Sequence, residues 1–317
     1  SIVGIGAGLA SALLFAVVTT GSPLAILLSY VAPLPVLIAA LGWRHPAGVV
    51  ATLAGGVAIA LFLKPAAGFA FALGIGLPAW WIAYLALLGR DDGAGRVEWY
   101  PLGRLLLWIA FSSALVTLAG AMAIAGDYDA YQTAMRETLT MVLSGGPDAR
   151  PRPDMQIADV ETLARRIAFA VPVLAGASFV PMIVANLWLA AKATQLSGRL
   201  PRPWPALAET RAPRMAGALL AVSGGAFLAL PGFVGLLGGA LFGAISSLFI
   251  FTGLAFVHDR SRGKNWRSGA LGFLYISLLL LPIAAFVFPA LVLLGIVDSF
   301  VDLRGQTASF PKTPDNR

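Results

Sequence analysis

The chain has no cysteine among its 317 residues. Disulfides, thiolate metal sites and cysteine nucleophiles are therefore excluded. Charge is scarce as well: Asp, Glu, Lys and Arg make up 12% of the sequence, against about a quarter in a soluble domain. Of the two histidines, His45 and His258 each stand at the end of an apolar run inside a basic cluster. No His-Glu-x-x-His spacing, Gly-x-Ser-x-Gly elbow or P-loop lysine occurs, so no metal, cofactor or catalytic set is expected and the chain reads as non-enzymatic. No carboxylate falls inside a confident apolar run, which argues against proton-coupled transport, since intramembrane acids are the usual proton carriers. The first residues lack a basic n-region and an Ala-x-Ala cleavage site; they read as a retained first span.

Apolar residues are abundant instead, at 58%, and the mean hydropathy is +0.83. Nine apolar runs stand out, at 2–20, 24–41, 47–63, 68–88, 105–125, 167–191, 215–230, 233–257 and 269–297. Residues 167–191 form the central one, uncharged between Arg165-Arg166 and Lys192; a helix of that length crosses a hydrocarbon core about 30 Å thick. The run at 24–41 carries Pro33 and Pro35, and the run at 215–230 is short. The expectation is an all-α, polytopic transmembrane bundle of eight or nine spans, forming one domain over 1–304, with a disordered tail at 305–317.

The net charge of +7 invites a nucleic-acid reading, but the basic residues lie between spans, where the positive-inside rule accounts for them. Connections 192–214 and 258–268 are strongly basic and are placed in the cytoplasm of a bacterial inner membrane. The long insertion 126–166 then faces the opposite side. After Asp127, a candidate N-cap, residues Tyr128, Tyr131, Met135, Leu139 and Val142 recur at helical spacing. Residues 144–153 break that helix, and Asp154 can cap a second one that runs into the central span. The insertion is either a lid over a cavity or an interfacial hairpin resting on headgroups.

Three constellations are candidate sites. Gly4, Gly8 and Ala12 recur every four residues on the first span. Such a face lets backbones approach closely, either a partner protein's or a neighbouring helix of the same bundle. Gly238, Gly239 and Gly243 repeat the pattern. Tyr30-Val-Ala-Pro33-Leu-Pro35 breaks the second run near its middle; unwound backbone at membrane depth builds solute sites in transporters. Asn186 and Trp188 add an amide and an indole, to orient a ligand or to bond across helices and join an aromatic belt. Asp298 and Asp302 read as a solvated helix end.

Taken with Leu41-Gly-Trp-Arg44, the polar insertion and Phe179-Val-Pro181-Met-Ile-Val-Ala-Asn186-Leu-Trp188, these stretches resemble the uncharacterised bacterial YybS-like membrane proteins. That family is distantly similar to the substrate-capture subunits of energy-coupling-factor vitamin transporters. The resemblance implies a partner docked on Gly4, Gly8 and Ala12 and a pocket covered by the 128–142 helix. Two functions follow: a small, partly apolar solute bound within the bundle for transport with a membrane partner, or a non-transporting scaffold or assembly factor.

Overall fold

The computed structural model describes residues 1–91, 93, 96–145, 157–301 and 304. The chain forms helices α1 (Ile2–Ala16), α2 (Pro23–Ser29), α3 (Pro33–Gly42), α4 (His45–Phe62), α5 (Pro65–Phe71) and α6 (Leu77–Ala86). A π-helical turn, Ala72–Gly76, joins α5 to α6. A short antiparallel hairpin, β1 (Gly89–Asp91) and β2 (Val97–Trp99), leads to α7 (Leu102–Ile124). There follow α8 (Tyr128–Leu143), α9 (Ile157–Leu196), α10 (Met215–Ala229), α11 (Gly232–Arg260), α12 (Arg267–Leu279) and α13 (Leu281–Val301). Among the described residues, eight helical stretches are long and apolar enough to cross a bilayer, and the all-α polytopic bundle stands.

Local chemistry explains several boundaries. Ser22 accepts a hydrogen bond from Ala25 N and Pro23 follows at the first helical position, so α2 begins there. The Asp127 carboxylate accepts from Ala130 N at 2.9 Å and starts α8 where the apolar spacing places it. The second insertion helix runs without interruption into the central span as α9, 40 residues with Pro172 and Pro181 inside. Residues 146–156, where an Asp154 cap is expected, and residues 305–317, where a disordered tail is expected, lie outside the described residues, as does Asp302. The last apolar run is not one helix: backbone at Leu280 turns extended, and Pro282 starts α13 afresh.

Packing centres on α9, whose Ile183 is buried in one core with Val36 and Leu37 of α3, Ile109 of α7, and Ile245 and Phe249 of α11. Small residues bring these backbones together. A Cβ on Gly243 would strike Val173 O, and one on Gly176 would strike Ala240 O. Ser113 and Ser247 donate across the same seams, to Gly176 O at 2.9 Å and Ala177 O at 2.8 Å. Val173 with Gly243 and Ala177 with Ser247 set α9 and α11 parallel, so α10 must carry the chain back between them. It does so against Gly238 and Gly239, which meet Ser223 O and Phe227. Glycines of the eighth run thus serve two seams inside the chain.

Candidate functional site

The break between α2 and α3 is real and has a defined chemistry. Val31 N, Ala32 N and Leu34 N bond three residues back, to Leu28, Ser29 and Val31 carbonyls. This tightened path removes Leu34 N from Tyr30 O, its partner in a continuous helix. Asn186 Nδ2 on α9 takes that carbonyl at 2.8 Å and also donates to Met182 O at 2.8 Å. Ser11 Oγ on α1 donates to the Ala32 carbonyl at the start of α3. Pro33 stands at the first position of α3, where a missing N–H costs nothing. The prolines begin the second half-helix, and the interruption lies just before them.

Around this break lies a cavity of about 440 Å³. It separates the first helices from α7 and α9. Ser29 and Tyr30 line it from the break, Gly74 and Ile75 from the π-helical turn, and Phe15 and Val18 from the end of the first span. Across from them stand Val116 and Thr117 of α7, and Ala175, Ser178, Phe179 and Met182 of α9. Those α9 residues fall in and beside the stretch between Pro172 and Pro181. Three helical irregularities therefore meet at one cavity. Its hydroxyls on Ser29, Thr117 and Ser178 donate to carbonyls of their own helices, at 2.7, 2.9 and 3.1 Å, which leaves their oxygens free to accept. Tyr30 is the one ionisable residue in the lining. Such a wall suits an apolar molecule carrying a few hydrogen-bond donors.

The other expected residues fall elsewhere. Asn186 is buried behind the break, its amide nitrogen used across helices and its Oδ1 without a hydrogen-bond partner. Trp188 lines a different, largely apolar cavity of about 350 Å³, with Lys192, Trp204, Thr210 and Phe251. Gly4, Gly8 and Ala12 face the chain's own α4: a Cβ on Gly4 would stand 2.7 Å from Ala47 O, and one on Gly8 would strike Ala51 O. This is the in-bundle packing alternative, and the face is occupied.

Two buried cations escaped the sequence reading. Arg304 makes an ion pair with Asp298, the two side chains 3% and 2% exposed. Asp298 is thus no solvated helix end; the pairing and the burial overturn that expectation. The same guanidinium donates to Ala208 O at 2.7 Å and Thr210 O at 2.8 Å. Arg202 donates to Ala86 O at 2.8 Å, and burial pushes its pKa below the usual arginine value. Together they tie the connection between α9 and α10 onto α6 and α13. No signal short of the fold pairs an arginine with carbonyls almost a hundred residues away.

No group of three or more His, Asp or Glu suited to a metal occurs among the described residues. Comparison with curated proteins and with solved structures gives no significant match. The family described as predicted membrane protein DUF2232 matches residues 9–299, nearly the full length, and the chain belongs to that family of membrane proteins.

Proposed function

We propose that this multi-pass protein binds a small, partly apolar solute in the 440 Å³ cavity beside Tyr30 and acts in its transport. The observation that carries this is the meeting of the α2–α3 break, the π-helical turn and the proline-bearing part of α9 at one opening. π-helical turns and broken helices concentrate at functional sites, because each costs regular hydrogen bonding that a packed bundle has no need to give up. The reading fits the resemblance to YybS-like proteins and to energy-coupling-factor capture subunits, and a bacterial inner membrane with the basic connections inside. No ATP-binding motif occurs in the sequence, so an ATP-driven step would belong to a partner chain. The scaffold reading loses its main support, because the small-residue face of α1 is filled by α4.

Gly74 provides the test. A Cβ there meets only Val116, at 3.8 Å, so Gly74→Leu should fill the cavity with little strain. The expected result is a small molecule retained by the gently extracted protein in native mass spectrometry, absent from Gly74→Leu at an unchanged melting temperature. A stoichiometric membrane protein and no small molecule would support the scaffold instead.

A further inference from the structure

The helix α8 and the start of α9 enclose a second kind of site. Between them runs an open cleft of about 740 Å³ lined by Arg136, Arg165 and Arg166 together with Tyr128, Gln132 and Phe169. None of the three arginines has a carboxylate within ion-pair distance among the described residues. Acids are nearby: Asp129 lines the cleft, while Glu137 and Glu161 line the adjoining hollow that shares Arg136 and Arg165. At the other end, Tyr128, Gln132 and Phe169 continue into a groove walled by Pro172, Phe227, Leu228 and Leu230. Phe169 and Phe227 stack there with ring centroids 4.5 Å apart.

The order of chemistry along this path is cationic, then aromatic, then aliphatic, going from the rim of the bundle toward its spans. Arg165 and Arg166 also stand at the end of α9 away from the basic 192–214 connection. Positive charge on that face opposes the usual orientation signal, so a use for it is called for. A guanidinium offers a planar fork of donors that matches phosphate oxygens in pairs.

We infer that the α8–α9 cleft binds a phosphate-bearing amphiphile, its phosphate held by Arg136, Arg165 and Arg166 and its chain laid along Phe169, Pro172 and Phe227. Asp129 stands where a hydroxyl or ammonium beside the phosphate would meet it. The insertion is then neither a cover for the Tyr30 cavity nor a helix merely resting on lipid. It is one wall of a headgroup site, and α8 is held in place by Tyr131, buried against Ala121 and Leu236.

The test uses the full chain in detergent, given three probes in turn: long-chain phosphatidylglycerol, long-chain diacylglycerol and inorganic phosphate. Retention is read by native mass spectrometry. Phosphatidylglycerol should be retained over diacylglycerol, and a hundredfold excess of inorganic phosphate should displace little of it. Arg136→Gln with Arg165→Gln and Arg166→Gln should weaken retention at least about tenfold, the loss expected for charge-assisted hydrogen bonds. Arg199→Gln, in the basic 192–214 connection, should change nothing. Equal retention of diacylglycerol, or an unaffected triple variant, overturns the site. Full displacement by inorganic phosphate overturns the amphiphile and leaves a free-anion site. Should the triple variant not fold, Arg136→Gln alone, outside every membrane span, gives the same reading with a smaller drop.

Discussion

Removing either member of the Asp298–Arg304 pair should unsettle this protein more than its position near the chain's end suggests. Both side chains are almost fully buried. Deleting one partner of such a pair leaves an uncompensated charge and costs about 3–5 kcal/mol. Asp298→Asn removes this countercharge and keeps an oxygen in reach of Arg304 Nε, now 3.2 Å from Asp298 Oδ1. Its cost should sit at the lower end of that range. Arg304→Met removes more. It strands the Asp298 carboxylate, and it also leaves the Ala208 and Thr210 carbonyls without this donor, at about 1–3 kcal/mol for each buried group left unsatisfied. Combining Arg304→Met with Asp298→Leu abolishes the stranded charge, while the carbonyl deficit remains. The double variant should therefore be more stable than Arg304→Met alone, a departure from additivity that marks a coupled pair.

The measurement is a double-variant cycle, by inactivation half-life or thermal unfolding in one detergent. A local readout accompanies it. The chain has no native cysteine, so a single one placed at Leu207 reports on the 207–210 segment. It should react with a soluble thiol reagent several-fold faster when Arg304 is replaced. A fully additive cycle, or Asp298→Asn within about 0.5 kcal/mol of wild type, the scatter of an ordinary surface change, would refute the buried-pair reasoning.

Two further substitutions separate internal packing from partner docking and from ligand binding. Gly8→Leu forces a side chain onto Ala51 O, with Gly55 N 2.9 Å from the new Cβ. Overpacking of this kind costs roughly 1–3 kcal/mol and should lower the melting temperature of the isolated protein; loss of a co-purifying partner with unchanged melting would instead place a docking surface there. Asn186→Leu deprives Tyr30 O of its donor and should cost about 1–3 kcal/mol, the penalty for a buried acceptor left unsatisfied. Unchanged melting with lost solute would move Asn186 from the scaffold to the binding site.

Long-range features divide sharply from local ones in how far the sequence reveals them. Starting α8 at Asp127, interrupting the second run beside Tyr30 and extending the insertion into α9 all rest on residues within a few positions of each other, and the structure has them. Periodicity also marked Gly4, Gly8 and Ala12 as a close-approach face, but it carries no information about which backbone approaches. The π-helical turn at Ala72–Gly76 left no mark, since Gly and Pro are common throughout this chain. Arg304 was missed for another reason: it follows the last apolar run, where a charge ordinarily meets water. Its burial is set by the 208–210 carbonyls, which only the folded connection brings near.

The Tyr30 break also shows how an irregular backbone persists away from water. An unpaired carbonyl in hydrocarbon costs several kcal/mol, so a broken helix survives only where every freed group finds a donor. Here the freed oxygen on Tyr30 is taken by Asn186, and Ser11 donates to the neighbouring Ala32 carbonyl, one donor each from α9 and α1. These bonds tie the first, second and sixth long helices together on the packed side of the break. The Ser29 and Tyr30 side chains are thereby left facing the cavity, with no structural duty for the Tyr30 ring among the described contacts of the bundle core. A break stabilised from behind and open in front is a rigid wall for a ligand. This is why the proposed site is placed at Tyr30, in front of the break, and Asn186 is assigned to its support.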